Sequence, residues 1–278
     1  MTEVVHKPVE IVLVRHGQSE GNVINHRLKA GEDIVVPGYR ERHESLLRLS
    51  PLGVEQARAA GSWVLKNVIE PADYNFRLMT SPYNRAMETA VEMGISDLWE
   101  PRLELREREW AEAAYLSPEE RREAFERNEQ LRQMSYYFWP PPGGGESVAR
   151  MVDNRIKANL GTLYREDAGA GAIMVTHGET MWGYRVPLEK LHPLEFNEQD
   201  RDPAYHIPNC MIIRYKRQDP RSGEMLEHFE WRQAVCPWDA SQSWAEGEWV
   251  NVQAGRRNVP TSQLQNWYEA YPPLEIPE

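Results

Sequence analysis

Four basic side chains, Arg15, His16, Arg85 and His177, lie at or shortly after the ends of short apolar runs in this sequence. A neutral imidazole can attack phosphorus and form a phosphohistidine. The planar guanidinium of arginine matches phosphate oxygens in pairs. Because grouping four such cations is unfavourable unless an anion lies among them, we predict that they meet at one phosphate site.

A carboxylic acid is the further group that this chemistry needs, because a departing alkoxide must take up a proton. Once the leaving group has gone, the same carboxylate can activate water. The densely charged segment at residues 103–110 offers Glu104, Glu107 and Glu109. A surface salt bridge is an alternative role for any of them, and the segment alone leaves the choice open.

Metal binding is the competing interpretation of two histidines. The sequence has no His-Glu-x-x-His motif and no cluster of Cys and His, which are the usual patterns of zinc sites. Flanking arginines would also repel a divalent cation, so we predict no metal site. Ordinary core or surface roles are predicted for the other histidines, which are His6, His26, His43, His192, His206 and His228.

Three continuous apolar runs predict the elements that position these groups. Residues 9–14, 76–79 and 172–176 are typical of buried strands. Each is followed by a segment that can begin a helix, and in a mostly parallel sheet the carboxyl ends of the strands lie side by side. The pattern therefore predicts an α/β fold, with further strands at residues 211–215 and 225–235.

Composition limits the class of protein. The chain has 278 residues, 41% of them hydrophobic, and a formal net charge of -11. This charge disfavours a nucleic-acid binder, and no apolar run approaches the roughly 20 residues that span a bilayer. With no export signal at its start and two cysteines, Cys210 and Cys236, we predict a cytoplasmic, reduced protein and ordinary thiols rather than a disulfide.

Two segments stand apart from the predicted α/β pattern. Residues 29–48 show no clean period, and they are either a solvated surface insertion or a lid that faces the substrate. Residues 216–278 are rich in tryptophan and have little periodicity. We therefore divide the chain into a catalytic domain at residues 1–215 and a C-terminal extension at residues 216–278 that packs on it.

Six motifs, taken in order, resemble the signature of the histidine phosphatase (phosphoglycerate mutase-like) superfamily. They are VLVRHGQS (12–19) with Asn22, LSPLGVEQA (49–57), SPYNRAMETA (81–90), LRER (105–108), GES (145–147) and VTHGE (175–179). The resemblance covers about residues 9–215 and implies a three-layer α/β/α fold. Ala111 departs from the pattern, because the family often has glycine there.

The resemblance also implies roles for individual residues. His16 would be the phosphorylated nucleophile, and Arg15, Arg85 and His177 would form the phosphate pocket. By its place in the motif, Glu107 would be the acid, although an alternative register favours Glu109. The residues implied to contact the substrate are Gln18, Asn22 and Gly178.

Three activities fit the resemblance. Mutases of this family hold a bisphosphate with a paired arginine, of which this chain has only Arg132, and they typically have asparagine where this chain has Glu179. Both features favour a phosphatase that needs no cofactor and acts on a small phosphorylated metabolite. A mutase and a non-catalytic phospho-ligand binding module are the alternatives. Candidates for reading the rest of the substrate are Arg40, Arg42, Arg48 and Arg132.

The aromatic segment at residues 136–139 is the candidate for an intermolecular contact. It could form the patch of a homodimer, or it could cover the core of its own domain.

Overall fold

A computed structural model describes residues 7–32, 34–116, 118–252, 258–270 and 273–274. Its strands are β1 (Glu10–Arg15), β2 (Phe76–Thr80), β3 (Glu100–Pro101), β4 (Gly171–Thr176), β5 (Ile212–Lys216), β6 (Trp231–Val235) and β7 (Val250–Asn251). Its helices are α1 (Glu20–Lys29), α2 (Pro51–Val64), α3 (Asn84–Met93), α4 (Pro118–Ala124), α5 (Glu126–Met134), α6 (Val148–Met151), α7 (Lys157–Glu166), α8 (Gly178–Glu189), α9 (Pro193–Arg201) and α10 (Thr261–Glu269). In the part of the chain described, no helix has the length and apolar character required to cross a membrane.

The seven strands form one sheet in the order β3-β2-β4-β1-β5-β6-β7. The pairs β2–β3, β2–β4 and β1–β4 are parallel, whereas β5, β6 and β7 continue the sheet with antiparallel pairs. Five strands therefore run in one direction, and the predicted mostly parallel sheet is confirmed. The carboxyl ends of β1, β2 and β4 lie next to one another, which is where the predicted site residues follow.

Alternate residues of β1 face two separate cores. Val12 and Val14 pack with the small residues of α2 and α3, whereas Ile11 and Leu13 pack with side chains of α6 to α9. All four are fully buried, as expected of a central strand with helices on both sides. The fold is therefore a three-layer α/β/α arrangement.

The C-terminal segment adds strands to this sheet. β6 pairs with β5, and β7 pairs with β6. The strand predicted at residues 225–235 is shorter than expected, because the backbone bends at residues 227–228, and Met225 forms only an isolated bridge to Gln218. The division at residue 215 remains a prediction from composition, while strands of the extension lie within the central sheet.

The charged segment at residues 118–134 forms two helices, because Phe125 has non-helical angles (φ -138°, ψ 41°) between α4 and α5. In the aromatic segment, Tyr136 and Trp139 are buried in the core, whereas Phe138 is exposed. Cys210 and Cys236 are buried free thiols.

The N-terminus of α2 lies directly against the loop that follows β1. A Cβ atom added to Gly53 would lie 2.0 Å from the carbonyl oxygen of Gln18, and one added to Gly17 would lie 2.3 Å from the carbonyl oxygen of Gly53. Neither neighbour can yield easily, because both are backbone. Glycine at these positions lets the helix support the loop that carries His16.

We expect Gly53→Ala to lower the free energy of unfolding by about 1–3 kcal/mol or more, because it forces backbone apart in a packed region. Denaturant unfolding monitored by circular dichroism measures this change. Gly161→Ala is the matched control in α7, where the new Cβ meets only the flexible end of Arg165 at 3.3 Å. The control should be neutral or stabilising by up to about 1 kcal/mol, and equal stability of the two variants would contradict the packing argument.

Candidate active site

The structure brings the four predicted basic side chains to one point at the carboxyl edge of the sheet. Arg15 is the last residue of β1, and His177 follows β4 directly. Arg85 lies in the first turn of α3, and its Nε lies 3.2 Å from Nε2 of His16. The rings of His16 and His177 are 5.0 Å apart between centroids. The strand ends therefore deliver two imidazoles and two guanidiniums to a single site.

The ring of His16 is oriented by its own loop. Its Nδ1 lies 2.7 Å from the carbonyl oxygen of Gly17, which can only accept, so Nδ1 carries the proton. Nε2 is then unprotonated and accepts from Arg85 Nε. This assignment of the tautomer follows from the hydrogen-bond network, and it gives Nε2 the lone pair that a nucleophile needs.

The loop after His16 is fixed by hydrogen bonds from two helices. The backbone N–H of Gly17 donates to the hydroxyl of Thr89 on α3 at 3.0 Å. The backbone N–H of Gln18 donates to Oε1 of Gln56 on α2 at 2.9 Å. The nucleophile candidate therefore rests on a rigid support, as a reacting group requires.

Electrostatics favour the neutral form of both histidines. Burial lowers the pKa of His16 well below its ordinary value, and the cationic Arg85 and Arg15 lower it further. Burial likewise lowers the pKa of His177 well below its ordinary value, with Arg85 as the next cause. At neutral pH both rings are therefore uncharged, and His16 keeps its lone pair.

His177 presents one ring nitrogen to the site. Its Nε2 is 2.8 Å from the hydroxyl of Ser81, which also accepts the backbone N–H of Tyr83. Its Nδ1 is buried with no hydrogen-bond partner among the described residues. With the Ser81 hydroxyl donating to Nε2, Nδ1 carries a proton that a phosphate oxygen can accept.

The two arginines are anchored by carbonyl oxygens and keep donors for a ligand. Arg15 Nη1 donates to the carbonyl oxygen of Ile207 at 2.5 Å, and its Nε is buried without a partner among the described residues. Arg85 Nη1 donates to the carbonyl oxygen of Glu44 at 2.6 Å. The carbonyl partners are neutral and balance no charge, whereas Oε2 of Glu44 lies 3.9 Å from Arg85 Nη2 and offsets part of the positive charge of Arg85.

Of the three carboxylates considered from the sequence, Glu107 is the one that lines the cavity beside His16. Its Oε1 accepts the backbone N–H of Arg108 at 2.9 Å. Glu104 instead pairs with Arg102, and Oε1 of Glu109 accepts the backbone N–H of Ala111. Glu107 therefore has the placement of the acid that the chemistry requires.

The environment of Glu107 keeps a proton on it near neutral pH. Burial is the main cause, and the neighbouring carboxylate of Glu179 adds to it, so the pKa of Glu107 is raised to about 7. Glu179 is held in place by the hydroxyl of Tyr136 at 2.7 Å and by Nη1 of Arg108 at 3.3 Å. A carboxyl group with such a pKa can serve as both acid and base.

The predicted substrate contacts have different surroundings. Asn22 lines the cavity. Gln18 does not lie among the cavity residues, and its Oε1 accepts the hydroxyl of Ser50, the N-cap of α2. Gly178 begins α8, and a Cβ there would lie 3.5 Å from Arg15 Nε. The structure therefore gives Gln18 a supporting contact, while Asn22 faces the cavity.

Beyond these groups the cavity has a volume of about 500 Å³. All four arginines proposed to read the substrate pair with glutamates, and of the four only Arg132 lines the cavity. The insertion at residues 29–48 contributes Lys29, Tyr39, Glu44 and Leu47 to the wall. Charged and aromatic cavity residues that the sequence reasoning did not select include Lys29, Tyr39, Glu44, Trp110, Arg121, Tyr136 and Asp200.

Two further observations concern the backbone at Ala111 and the possibility of a metal site. Ala111, where glycine was expected, has φ 47°, a backbone region that favours glycine. In the described part of the chain, no group of three or more His, Cys, Asp or Glu side chains could hold a metal ion. Metal independence stays a prediction from the sequence, and the positive charge that the structure places at the site is that of Arg15 and Arg85.

Comparison with known proteins agrees with this geometry. Residues 11–225 match the histidine phosphatase superfamily (branch 1). This chain belongs to that superfamily. The resemblance drawn from the six motifs is thereby confirmed.

The proteins to which this chain is similar have different names. A 2,3-bisphosphoglycerate-dependent phosphoglycerate mutase of Methylorubrum populi is 30% identical over 179 residues, which are 62% of this chain and 74% of the relative. A mycobacterial glucosyl-3-phosphoglycerate phosphatase, solved with inorganic phosphate, aligns with a TM-score of 0.55 and 21% identity over 74% of this chain and 89% of its own. A protein described as mycobacterial hydrolase 2 aligns with a TM-score of 0.57 and 19% identity over 95% of this chain and 98% of its own. These two solved structures share the fold, and the second likeness extends into the C-terminal segment.

Proposed function

We propose that this superfamily member is a phosphatase that hydrolyses a small phosphorylated metabolite through a phosphohistidine at His16, without a metal ion. The observation that carries the proposal is the orientation of His16. Its proton lies on Nδ1 against the carbonyl of Gly17, and its Nε2 lies among the cations Arg15 and Arg85. A neutral imidazole with its lone pair at a phosphate-binding cluster is an activated nucleophile.

In the first half-reaction, Nε2 of His16 forms a bond to phosphorus while the bond to the ester oxygen breaks. The carboxylic acid of Glu107 gives its proton to the leaving oxygen, so that an alcohol departs and Glu107 becomes a carboxylate. Charge on the equatorial oxygens is stabilised by Arg15, Arg85 and the Nδ1–H of His177. These donors take the role that a metal ion has in other phosphoryl-transfer enzymes.

In the second half-reaction, water replaces the alcohol. The carboxylate of Glu107 removes a proton from water while the water oxygen forms a bond to phosphorus. The bond from phosphorus to Nε2 of His16 breaks at the same time. Inorganic phosphate leaves, and Glu107 is protonated again. A pKa of about 7 suits both steps, because each form of the carboxyl group is available near neutral pH.

The cavity supports a small, polar substrate. Its volume of about 500 Å³ is within the range of small-molecule sites. Away from Arg15, His16 and Arg85, the cavity wall carries Arg121 and Arg132, with the acidic Glu179 and Asp200 beside them. Mixed charge of this kind favours a leaving group with both acidic and hydroxyl or amino groups.

Hydrolysis is favoured over mutase activity by one carboxylate in the cavity. A bisphosphate-dependent mutase must hold a second phosphate, and the carboxylate of Glu179, which lines the cavity, would repel it. The curated relative from Methylorubrum populi bears a mutase name, so mutase activity is the second candidate. Incubation with phosphoglycerates distinguishes the two, since a mutase isomerises them and a phosphatase releases phosphate.

We expect the purified protein to hydrolyse p-nitrophenyl phosphate at a rate that EDTA changes by less than about twofold, because side chains supply the cationic charge that a metal would supply. Nitrophenolate release with and without EDTA measures this. Addition of Mg²⁺ or Zn²⁺ after dialysis against EDTA is the control. Loss of activity in EDTA with recovery on adding metal would contradict the proposed mechanism.

A further inference from the structure

Residues 207–210 touch three groups of the phosphate site. The carbonyl oxygen of Ile207 accepts Arg15 Nη1 at 2.5 Å. The side-chain amide of Asn209 donates from Nδ2 to the carbonyl oxygen of His16 at 3.0 Å and to Oδ1 of Asn22 at 3.1 Å. The backbone N–H of Cys210 also reaches the His16 carbonyl oxygen at 3.3 Å. This short turn therefore contacts the nucleophile's backbone, a phosphate arginine and the cavity asparagine together.

The contact with Asn22 decides which end of its amide faces the ligand. Oδ1 of Asn22 accepts from the backbone N–H of Ser19 at 3.1 Å and from the Ser19 hydroxyl at 3.2 Å, in addition to Asn209. Its oxygen is thus occupied by three donors. The Nδ2 group, which only donates, is the end that can serve a phosphate oxygen.

The C-terminal segment holds the turn at residues 207–210 in place. The indole Nε1 of Trp238 donates to the carbonyl oxygen of Asn209 at 2.6 Å, and that of Trp244 donates to the carbonyl oxygen of His206 at 2.8 Å. Trp244 is buried, whereas Trp238 is 36% exposed and contributes less to the core. The Trp238 contact is therefore the one that can be removed with the least loss of packing.

We propose that Asn209 and Trp238 are positioning residues, through which the C-terminal segment aligns Arg15, His16 and Asn22 for phosphate binding. This inference rests on the proposed phosphatase function, and it gives the tryptophan-rich segment a part in it. Trp238 fixes the backbone of Asn209, and Asn209 fixes the His16 carbonyl and the Asn22 amide. Neither residue lines the cavity, so the expected effect acts through the geometry of Arg15, His16 and Asn22.

The test compares Trp238→Phe with wild type, because phenylalanine keeps an aromatic ring but has no N–H donor. Loss of one hydrogen bond in the support should raise KM for p-nitrophenyl phosphate by about five- to tenfold, with kcat within about twofold. A general loss of folded protein would instead lower the apparent kcat and leave KM unchanged. Trp249→Phe is the matched control, because that ring stacks on Arg214 and Lys216 and should leave both constants unchanged.

A second readout does not require turnover. Inorganic phosphate binding, measured by calorimetry, should weaken by about five- to tenfold in Trp238→Phe and in Asn209→Ala, and remain unchanged in Trp249→Phe. If Trp238→Phe does not fold, Asn209→Ala decides. Wild-type phosphate affinity in Asn209→Ala would overturn the proposal. Wild-type protein that binds phosphate but releases none from esters would instead contradict the proposed function and leave the positioning role to be judged on binding.

Discussion

His16→Ala should lower kcat for p-nitrophenyl phosphate by about 10⁴- to 10⁶-fold, which is the scale at which loss of a covalent nucleophile acts. Without Nε2 no bond to phosphorus forms, although Arg15, Arg85 and His177 can still hold the phosphate group. The variant should therefore retain phosphate binding while losing turnover. Steady-state kinetics and calorimetry with inorganic phosphate measure the two effects separately.

The covalent intermediate offers a direct check on the same variant. Wild-type protein quenched during turnover should carry phosphate in a bond that is labile to acid and stable to base, and His16→Ala should carry none. His26→Ala is the control, because His26 is exposed on α1 and lies outside the cavity. Activity in His16→Ala within tenfold of wild type would sink the mechanism. Wild-type protein that binds phosphate esters without any phosphohistidine would favour the binding-module alternative.

Glu107→Gln should lower the rate with a primary alkyl phosphate by about 10²- to 10⁴-fold, the usual contribution of a general acid. An alkoxide leaves slowly without a proton, whereas p-nitrophenolate leaves without help. With p-nitrophenyl phosphate the variant should therefore still form the phosphohistidine. It should release a burst of nitrophenolate equal to the enzyme and then stall, because the base that activates water is also missing.

The pH dependence follows from the raised pKa of Glu107. Below about 7 the carboxyl group is protonated and can act as the acid, and above this value it is ionised and cannot. Single-turnover phosphorylation by an alkyl phosphate should therefore slow as pH rises through about 7, and this inflection should be absent in Glu107→Gln. Glu109→Gln is the matched control and should behave as wild type. The same losses in Glu109→Gln alone would assign the acid to that residue.

The sequence predicted the α/β fold and the meeting of Arg15, His16, Arg85 and His177. It could do so because buried parallel strands are continuous apolar runs, and because a residue just beyond such a run must emerge at the carboxyl edge. The position of each group is thus encoded by a neighbour a few residues away. Local signals of this kind can be interpreted without knowledge of contacts between distant parts of the chain.

The acid was harder to assign from the chain. Glu104, Glu107 and Glu109 lie in one irregular segment, where neither helical nor strand periodicity fixes the direction of a side chain. In the structure Arg108 is fully buried and donates to the carbonyl oxygens of Trp139 and Glu146. The burial of Arg108 accompanies the turn that places Glu107 in the cavity, and no pattern in the sequence announces it.

The sequence by itself therefore determined the meeting of Arg15, His16, Arg85 and His177, the family motifs and the layers around the sheet. Only the tertiary structure decided the rest of the wall, from Arg121 and Asp200 to the support that Trp238 gives to Asn209. Asn209 precedes β5 and Trp238 follows β6 in the sequence, and their contact depends on how the loops close over the sheet. Such contacts have no local period, because they arise from hydrogen bonds between segments that are folded together by the core.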